Sequence, residues 1–372
     1  MSSTTPLQAT AFLCVVSLAA AGSSAAEQVT SVALKDRTIA YVMVNKNIAV
    51  YQTANGSTEC PQGLNDGPRE QFDKLYPRDK SWTVKQTELE REGEIWHPSA
   101  TADSLPFHEA QGTVGIGLNL DGKVGPNDFT SPEGDAGIDN QMYRAVGCVE
   151  SYRGPDGSYR HFVESYMQKF DYNRTLIEIS DVDDLRTDND VTVTVYRGLD
   201  PLLVGSGGEF LAGGSQRVDL KWGQQFIKAT HGRIVDGVLT SDPIDVLLPE
   251  SLARGAPNQS VHAWRVKLKV GADGAEGLMA GYVDVERLYN NLAQNWATHF
   301  RAYGRESLPS EYRAFKRLAD GYPDPQTGEM SAISTAWEVR WKQVYLMKPN
   351  PNGSGAPTPQ VAASAGDVKG RR

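Results

Sequence analysis

The feature that most limits how this chain folds is a train of short, β-branched runs in its second half. TLIEIS, VTVTVYR, RVDLKW, FIKATHGRIV, GVLTSDPIDVLL, HAWRVKLKV and GLMAGYVDVE follow one another from Thr175, and YRHFVESYM before them reads as a further strand. Asp, Gly and Asn punctuate the train. Asp236-Gly237 is a two-residue hairpin signal, because both positions accept the positive φ of a tight primed turn. Strands recurring at roughly 8 to 12 residue spacing build a sandwich or a barrel. The expected class is mainly β with some helix (α+β), specifically a jelly-roll-like β-sandwich, and there is no internal repeat.

Two stretches depart from this rhythm. Val285, Leu288, Leu292, Trp296, His299, Phe300 and Tyr303 recur at three or four residue steps, the period of an amphipathic helix. A second helix starts at Ser307 and Pro309, carries Tyr312, Phe315 and Leu318 on one face, and stops at Gly321 and Pro323. The chain is therefore expected to insert a helical hairpin at about 285–320. After it, Ile333, Trp337, Val339, Trp341, Tyr345 and Met347 fall on alternate positions, which predicts a long final strand with one buried face. An aromatic row such as Trp337, Trp341 and Tyr345 stacks on sugars when exposed, but its apolar neighbours assign it to the core.

Upstream, RTIAYVMV and NIAVYQT read as a hairpin around Asn45-Lys46-Asn47. The start of the chain carries no acidic residue before the apolar block Ala11 to Ala21 and the small residues up to Ala26, a pattern that resembles a secretory signal peptide over residues 1–26. The block is too short to span a bilayer, which takes roughly twenty apolar residues, so export without a transmembrane anchor is expected, to the periplasm or beyond. Residues 27–347 then form the β domain. Residues 348–372, rich in Pro, Gly, Ser and Ala, form a tail expected to be disordered. Export also puts Cys60 and Cys148 in an oxidising compartment, where they are expected to pair, with a stabilisation of roughly 4 kcal/mol from the loop they close.

The stretch Gly112 to Cys148 holds the most unusual chemistry. Asp121, Asn127, Asp128, Asp135 and Asp139 alternate with glycines between a glycine-bearing strand, Gly112 to Leu120, and a short helix over Asp139 to Val149. Carboxylates and amides on a glycine-rich loop are the ligands calcium takes, so the stretch is a candidate loop for a structural calcium ion, although no complete EF-hand loop is present. The competing role for the same residues is to stabilise turns by bonding their own backbone. The acidic connection Asp181 to Asp190 faces the same choice, with solvation favoured.

Asp284 and Glu286 in GYVDVERLY share a face if the strand continues, and a carboxylate pair of that kind serves glycoside cleavage. If the helix begins there instead, they are first-turn acids favoured by its dipole. Glu178 with Asp181 is a weaker hint of the same sort. The histidines, His97, His108, His161, His231, His262 and His299, lack zinc spacing, and no Gly-x-Ser-x-Gly elbow occurs. A net charge of −9 with no Lys/Arg cluster excludes a nucleic-acid footprint.

The runs TLIEISDVDD, VTVTVYRGLDPLL, GLMAGYVDVE and YRAFKRLADGYPDPQTG resemble those of a group of exported bacterial proteins that have no assigned activity. The resemblance extends over most of the mature chain and implies export alone. The functional expectation is therefore a secreted or periplasmic binding protein, with carbohydrate or another envelope component as ligand. The alternative is a glycoside-cleaving enzyme using Asp284 and Glu286, and a structural or assembly protein of the envelope stands third.

Overall fold

Most of the predicted strands form, but they close on themselves rather than cross between two layers. The computed structural model describes residues 34–65, 90–91, 94–95, 107–154, 157–169, 174–221, 223–249, 258–295, 300–301 and 306–348. Residues 1–26, read above as a leader, lie outside them, as do the residues beyond Lys348 read as a tail. The elements used below are β1 (Ile39–Ile48), α1 (Gln141–Val146), α2 (Ser158–Lys169), β2 (Thr175–Ser180), β3 (Asp188–Arg197), β4 (Gly214–Arg217), β5 (Lys228–Val235), β6 (Val238–Ser241), β7 (Ile244–Pro249), β8 (Asn258–Val270), β9 (Gly274–Asp284), α3 (Val285–Asn295), α4 (Leu308–Leu318), β10 (Gly321–Pro323) and β11 (Met330–Met347).

The protein is mainly β, and its chief sheet has 11 strands. Around that sheet the order is β1, β2, β3, β5, β6, β8, β9, β11, and β11 pairs back onto β1, every one of these pairings being antiparallel. The strands thus follow chain order around a closed ring, an up-and-down barrel, in place of the Greek-key path of the expected jelly roll. Closure removes the two open edges that a flat sheet of this size would expose. β4 joins β11 in parallel beyond the ring, β7 extends β8, and β10 pairs with the start of β11.

Cross-strand partners share a face, so register identifies the interior. Tyr41 lies opposite Ile177, Met43 opposite Trp341, Met279 opposite Val266 and Trp337, and Leu268 opposite Leu239. All are buried. The inside of the barrel is thus filled by bulky side chains, and Trp337 and Trp341 belong to it, as their alternation with apolar neighbours predicts. Tyr345, on the same alternation, has passed the end of the ring and is 65% exposed.

Three local expectations change. The hairpin at Asn45-Lys46-Asn47 is a single strand, β1, because β11 pairs with it through Ile48 and a bulge between Met43 and Asn45 absorbs the irregularity. YRHFVESYM is helix α2. Tyr159, Val163 and Met167 repeat every four residues, and α2 packs on the outside of β1 with Val163 and Met167 buried. Gly112 to Leu120 makes only the isolated bridges Val114 to Thr130 and Leu118 to Asp139. The Asp236-Gly237 turn forms as expected, with φ of 49° and 78° between paired Val235 and Val238. α4 and the 18-residue β11 lie where their periodicities put them, and α3 starts at Val285 as expected but ends at Asn295. Phe300, expected on its apolar face, instead pairs with Ser307 in a two-residue antiparallel ladder, and Trp296, His299 and Tyr303 lie outside the described residues.

Candidate functional site

Outside the barrel, the Gly112–Cys148 stretch and its neighbours build a lobe with its own small core. Val50, Cys60, Ala110, Phe129, Ile138, Tyr143 and Cys148 are buried together. Cys60 and Cys148 form the expected disulfide, joining positions 88 residues apart with Cα atoms 5.7 Å from each other. The glycines serve close approach: a Cβ on Gly115 would come within 2.7 Å of the Phe129 ring. Beside the disulfide, Glu59 is buried against Arg153 at 2.5 Å. Burial pushes its carboxyl up, but hydrogen bonds from Thr53 and Arg153 outweigh that and hold it at about 2.

Asn140 fastens the lobe to the barrel. It is fully buried, its Nδ2 donates to the carbonyls of Ala49 (3.0 Å) and Ile116 (2.7 Å), and its Oδ1 accepts from the N–H of Tyr143 (3.1 Å) as the cap of α1. Gln141 N donates to Ser334 Oγ on β11 at 2.8 Å. Leu120, with Ile116 and Leu118 beside it, packs on Ala280, Tyr282 and Ala336 of the barrel's outer face.

Of the five residues read as calcium ligands, Asp121, Asp128 and Asp139 accept hydrogen bonds through their carboxylates, while Asn127 and Asp135 are bound through their backbone. Asp121 Oδ1 accepts from Lys123 N (2.8 Å), Asp128 Oδ2 from Gly125 N (2.5 Å), and the Asp135 N–H donates to Ser131 Oγ (3.1 Å). Asn127 contributes its backbone carbonyl to Gln141 Nε2 (2.8 Å). Asp139 is buried and accepts from Leu120 N at 2.6 Å. Among the described residues, no group of three or more His, Cys, Asp or Glu side chains is arranged to hold a metal ion. Burial raises Asp139 to about 6 against the hydrogen bond from Leu120, with the charges of Asp128 and Asp121 adding to the rise. Asp320, which accepts from Ser334 N at 2.7 Å, is raised to about 6 by burial, and the Asp139 charge contributes.

The acidic loop after β2 behaves similarly. Asp188 accepts from the N–H of Asp183 (2.7 Å) and of Asp190 (3.1 Å), and Arg37 pairs with Asp183 at 2.7 Å. Glu178 is buried under Tyr196 Oη (2.8 Å) and Lys348 Nζ (2.7 Å), while Asp181 takes the Thr192 hydroxyl at 3.0 Å. The expected pairing of Asp284 with Glu286 on one strand face does not occur, because β9 ends at Asp284. Asp284 accepts from Arg287 N (2.6 Å) at the start of α3, and Glu286, one turn in, accepts from Tyr312 Oη (2.5 Å).

The arrangement with most binding chemistry lies where the lobe, α2 and β11 meet. A groove of about 500 Å³ is lined by Tyr51 and Gln52 after β1, by Tyr152 and Tyr159 before and within α2, and by Ile116 and Pro132 of the lobe. Asn47, Arg160 and Glu338 supply its polar side. Tyr152 and Tyr159 hold their ring centroids 4.6 Å apart, both half-buried. Gln52 Oε1 accepts from Gly154 N at 3.0 Å, closing one end. Asn47 and Glu338 are cross-strand partners and so face the groove together. The walls desolvate the Glu338 carboxyl and raise it, with Arg160 opposing. The volume and the mix of rings with a few convergent polar groups are those of a small-molecule site.

None of these groove residues stood out in the sequence. The detectable signal was the four-residue step of Tyr159, Val163 and Met167, which as a helix turns Arg160 and Glu164 to the side of the buried row. Comparison of the chain with protein-family models, with curated proteins and with solved structures finds no match.

Proposed function

We propose that this protein is an exported, non-enzymatic binding protein whose tyrosine groove takes a carbohydrate. The observation that carries the proposal is the convergence of Tyr51, Tyr152 and Tyr159 with Asn47, Arg160 and Glu338 in one groove. A sugar presents apolar C–H faces that pack on aromatic rings and hydroxyls that pair with amide, guanidinium and carboxylate groups, and this groove offers both. The leader-like residues 1–26 and the Cys60–Cys148 disulfide support export, since disulfides persist in oxidising compartments. The reading requires no metal in the Gly112–Cys148 loop, whose part is to carry Ile116 and Pro132 into the groove wall.

A glycan array probed with the purified chain, followed by titration of the best hit against the wild type and Tyr159→Ala, tests this. Binding that falls about tenfold in the variant, or about 1.4 kcal/mol, is expected. An array without hits, or a variant that binds like the wild type, refutes the proposal. Release of shortened sugars during incubation would favour the glycosidase alternative.

A further inference from the structure

A second groove, of about 660 Å³, is lined by the same three elements as the tyrosine groove, a few residues further along each. β1 gives Asn47 and Ile48 to the first and Val44 to the second. α2 gives Arg160, then Glu164 one turn on. β11 gives Glu338, then Arg340 and Lys342. Outward positions on a strand lie two residues apart, so the path from Glu338 to Lys342 covers about 13 Å. The far wall carries Glu209 and Phe210, and the ends of β8 and β9 carry Lys269 and Glu276.

An ion cluster links the lining of one groove, at Arg160, to that of the other, at Glu164 and Arg340. Glu164 accepts from Arg340 Nη2 (3.1 Å) and from Asn45 Nδ2, and Arg160 approaches it at 3.7 Å. The side chains of Arg160, Glu164 and Arg340 are 35%, 30% and 53% exposed, and ion pairs at that exposure hold one another weakly. Hydroxyl groups of a ligand can take over their hydrogen bonds without uncovering a buried charge.

We infer that the two grooves are one valley and that the ligand is a linear glycan chain long enough to occupy both, rather than a mono- or disaccharide. The inference rests on the sugar reading of the tyrosine groove. The rings hold one end of the chain, and the polar rim around Lys342 and Glu209 receives the hydroxyl and amide substituents of the units that follow.

Titration calorimetry with β-1,4-linked oligomers of glucose and of N-acetylglucosamine, from disaccharide to hexasaccharide, tests the inference on the full chain. Affinity for one of the two series is expected to rise at least about tenfold from the shortest member to the longest. Lys342→Ala combined with Glu209→Gln is expected to bring the hexasaccharide down toward the disaccharide, with melting temperature checked alongside. Equal affinity at all lengths, or a hexasaccharide that binds the double variant as tightly as the wild type, overturns the valley and leaves the tyrosine groove standing. No binding at any length in either series overturns both.

Discussion

Asp139→Asn separates the two roles that its position allows, calcium ligand and buried acid, because they predict opposite signs. In the folded protein burial raises the carboxyl from its ordinary 3.8 to about 6. At about 1.4 kcal/mol per pK unit, keeping it ionised inside the fold costs about 3 kcal/mol at neutral pH relative to the unfolded chain. The sign follows from the raised value: the stability is fully present below about pH 4 and is lost as pH rises through about 6. An asparagine avoids that cost at every pH and keeps an acceptor for Leu120 N, and the hydrogen bond from Leu120 is already counted in the raised value.

The variant should therefore be more stable than the wild type by up to about 3 kcal/mol near pH 7 and about equal to it near pH 4, where the buried carboxyl is protonated and both side chains are neutral. Removing the Asp139 charge also relieves Asp320, which reinforces the gain at neutral pH. Urea unfolding of both proteins between about pH 4 and pH 7 reads the growth of this difference directly, because groups common to both cancel in it. A variant that is less stable at neutral pH, or a difference that does not change with pH, refutes the reasoning. A neutral-pH loss that appears only with calcium and vanishes with a chelator would restore the metal role.

Two further outcomes can be checked with the same equipment. With Asp121, Asp128 and Asp135 engaged in local turns, millimolar calcium should leave the melting temperature unchanged, and an increase that grows with calcium concentration would contradict this. Ala263, in the β8 bulge with φ of 47° and its N–H bound to Asp245 at 3.0 Å, sits in backbone that glycine tolerates better, so Ala263→Gly should stabilise by up to about 1 kcal/mol in urea unfolding. A loss of stability would show that the bulge is unstrained.

Much of the barrel was legible residue by residue. The Asp236-Gly237 turn, the alternation along β11 and the helical steps from Val285 rest on dihedral preference and side-chain period, which act over a few residues. α2 was misread because Tyr159, Phe162, Val163 and Tyr166 are residue types that favour strands, and the buried surface of β1 against Val163 and Met167 selects the helix. The Gly112–Cys148 loop was recognised as the organiser of one side of the molecule, with its disulfide and short helix, but its carboxylates were read as a set. Asp121 and Asp128 each take a backbone N–H within three residues, and Asp139 takes that of Leu120 across the loop, a choice that depends on loop geometry rather than on composition.

The sequence by itself determined most of the strands from Thr175 onward, the Asp236-Gly237 turn and the helix starting at Val285, since propensity and periodicity are written locally. Only the tertiary structure decided that β11 returns to β1 and closes the ring, that Asp139 loses its water, and that three tyrosines from separate segments meet Arg160 and Glu338. Closure, desolvation and convergence arise from contacts between residues far apart in the chain, so no window of neighbouring residues contains them.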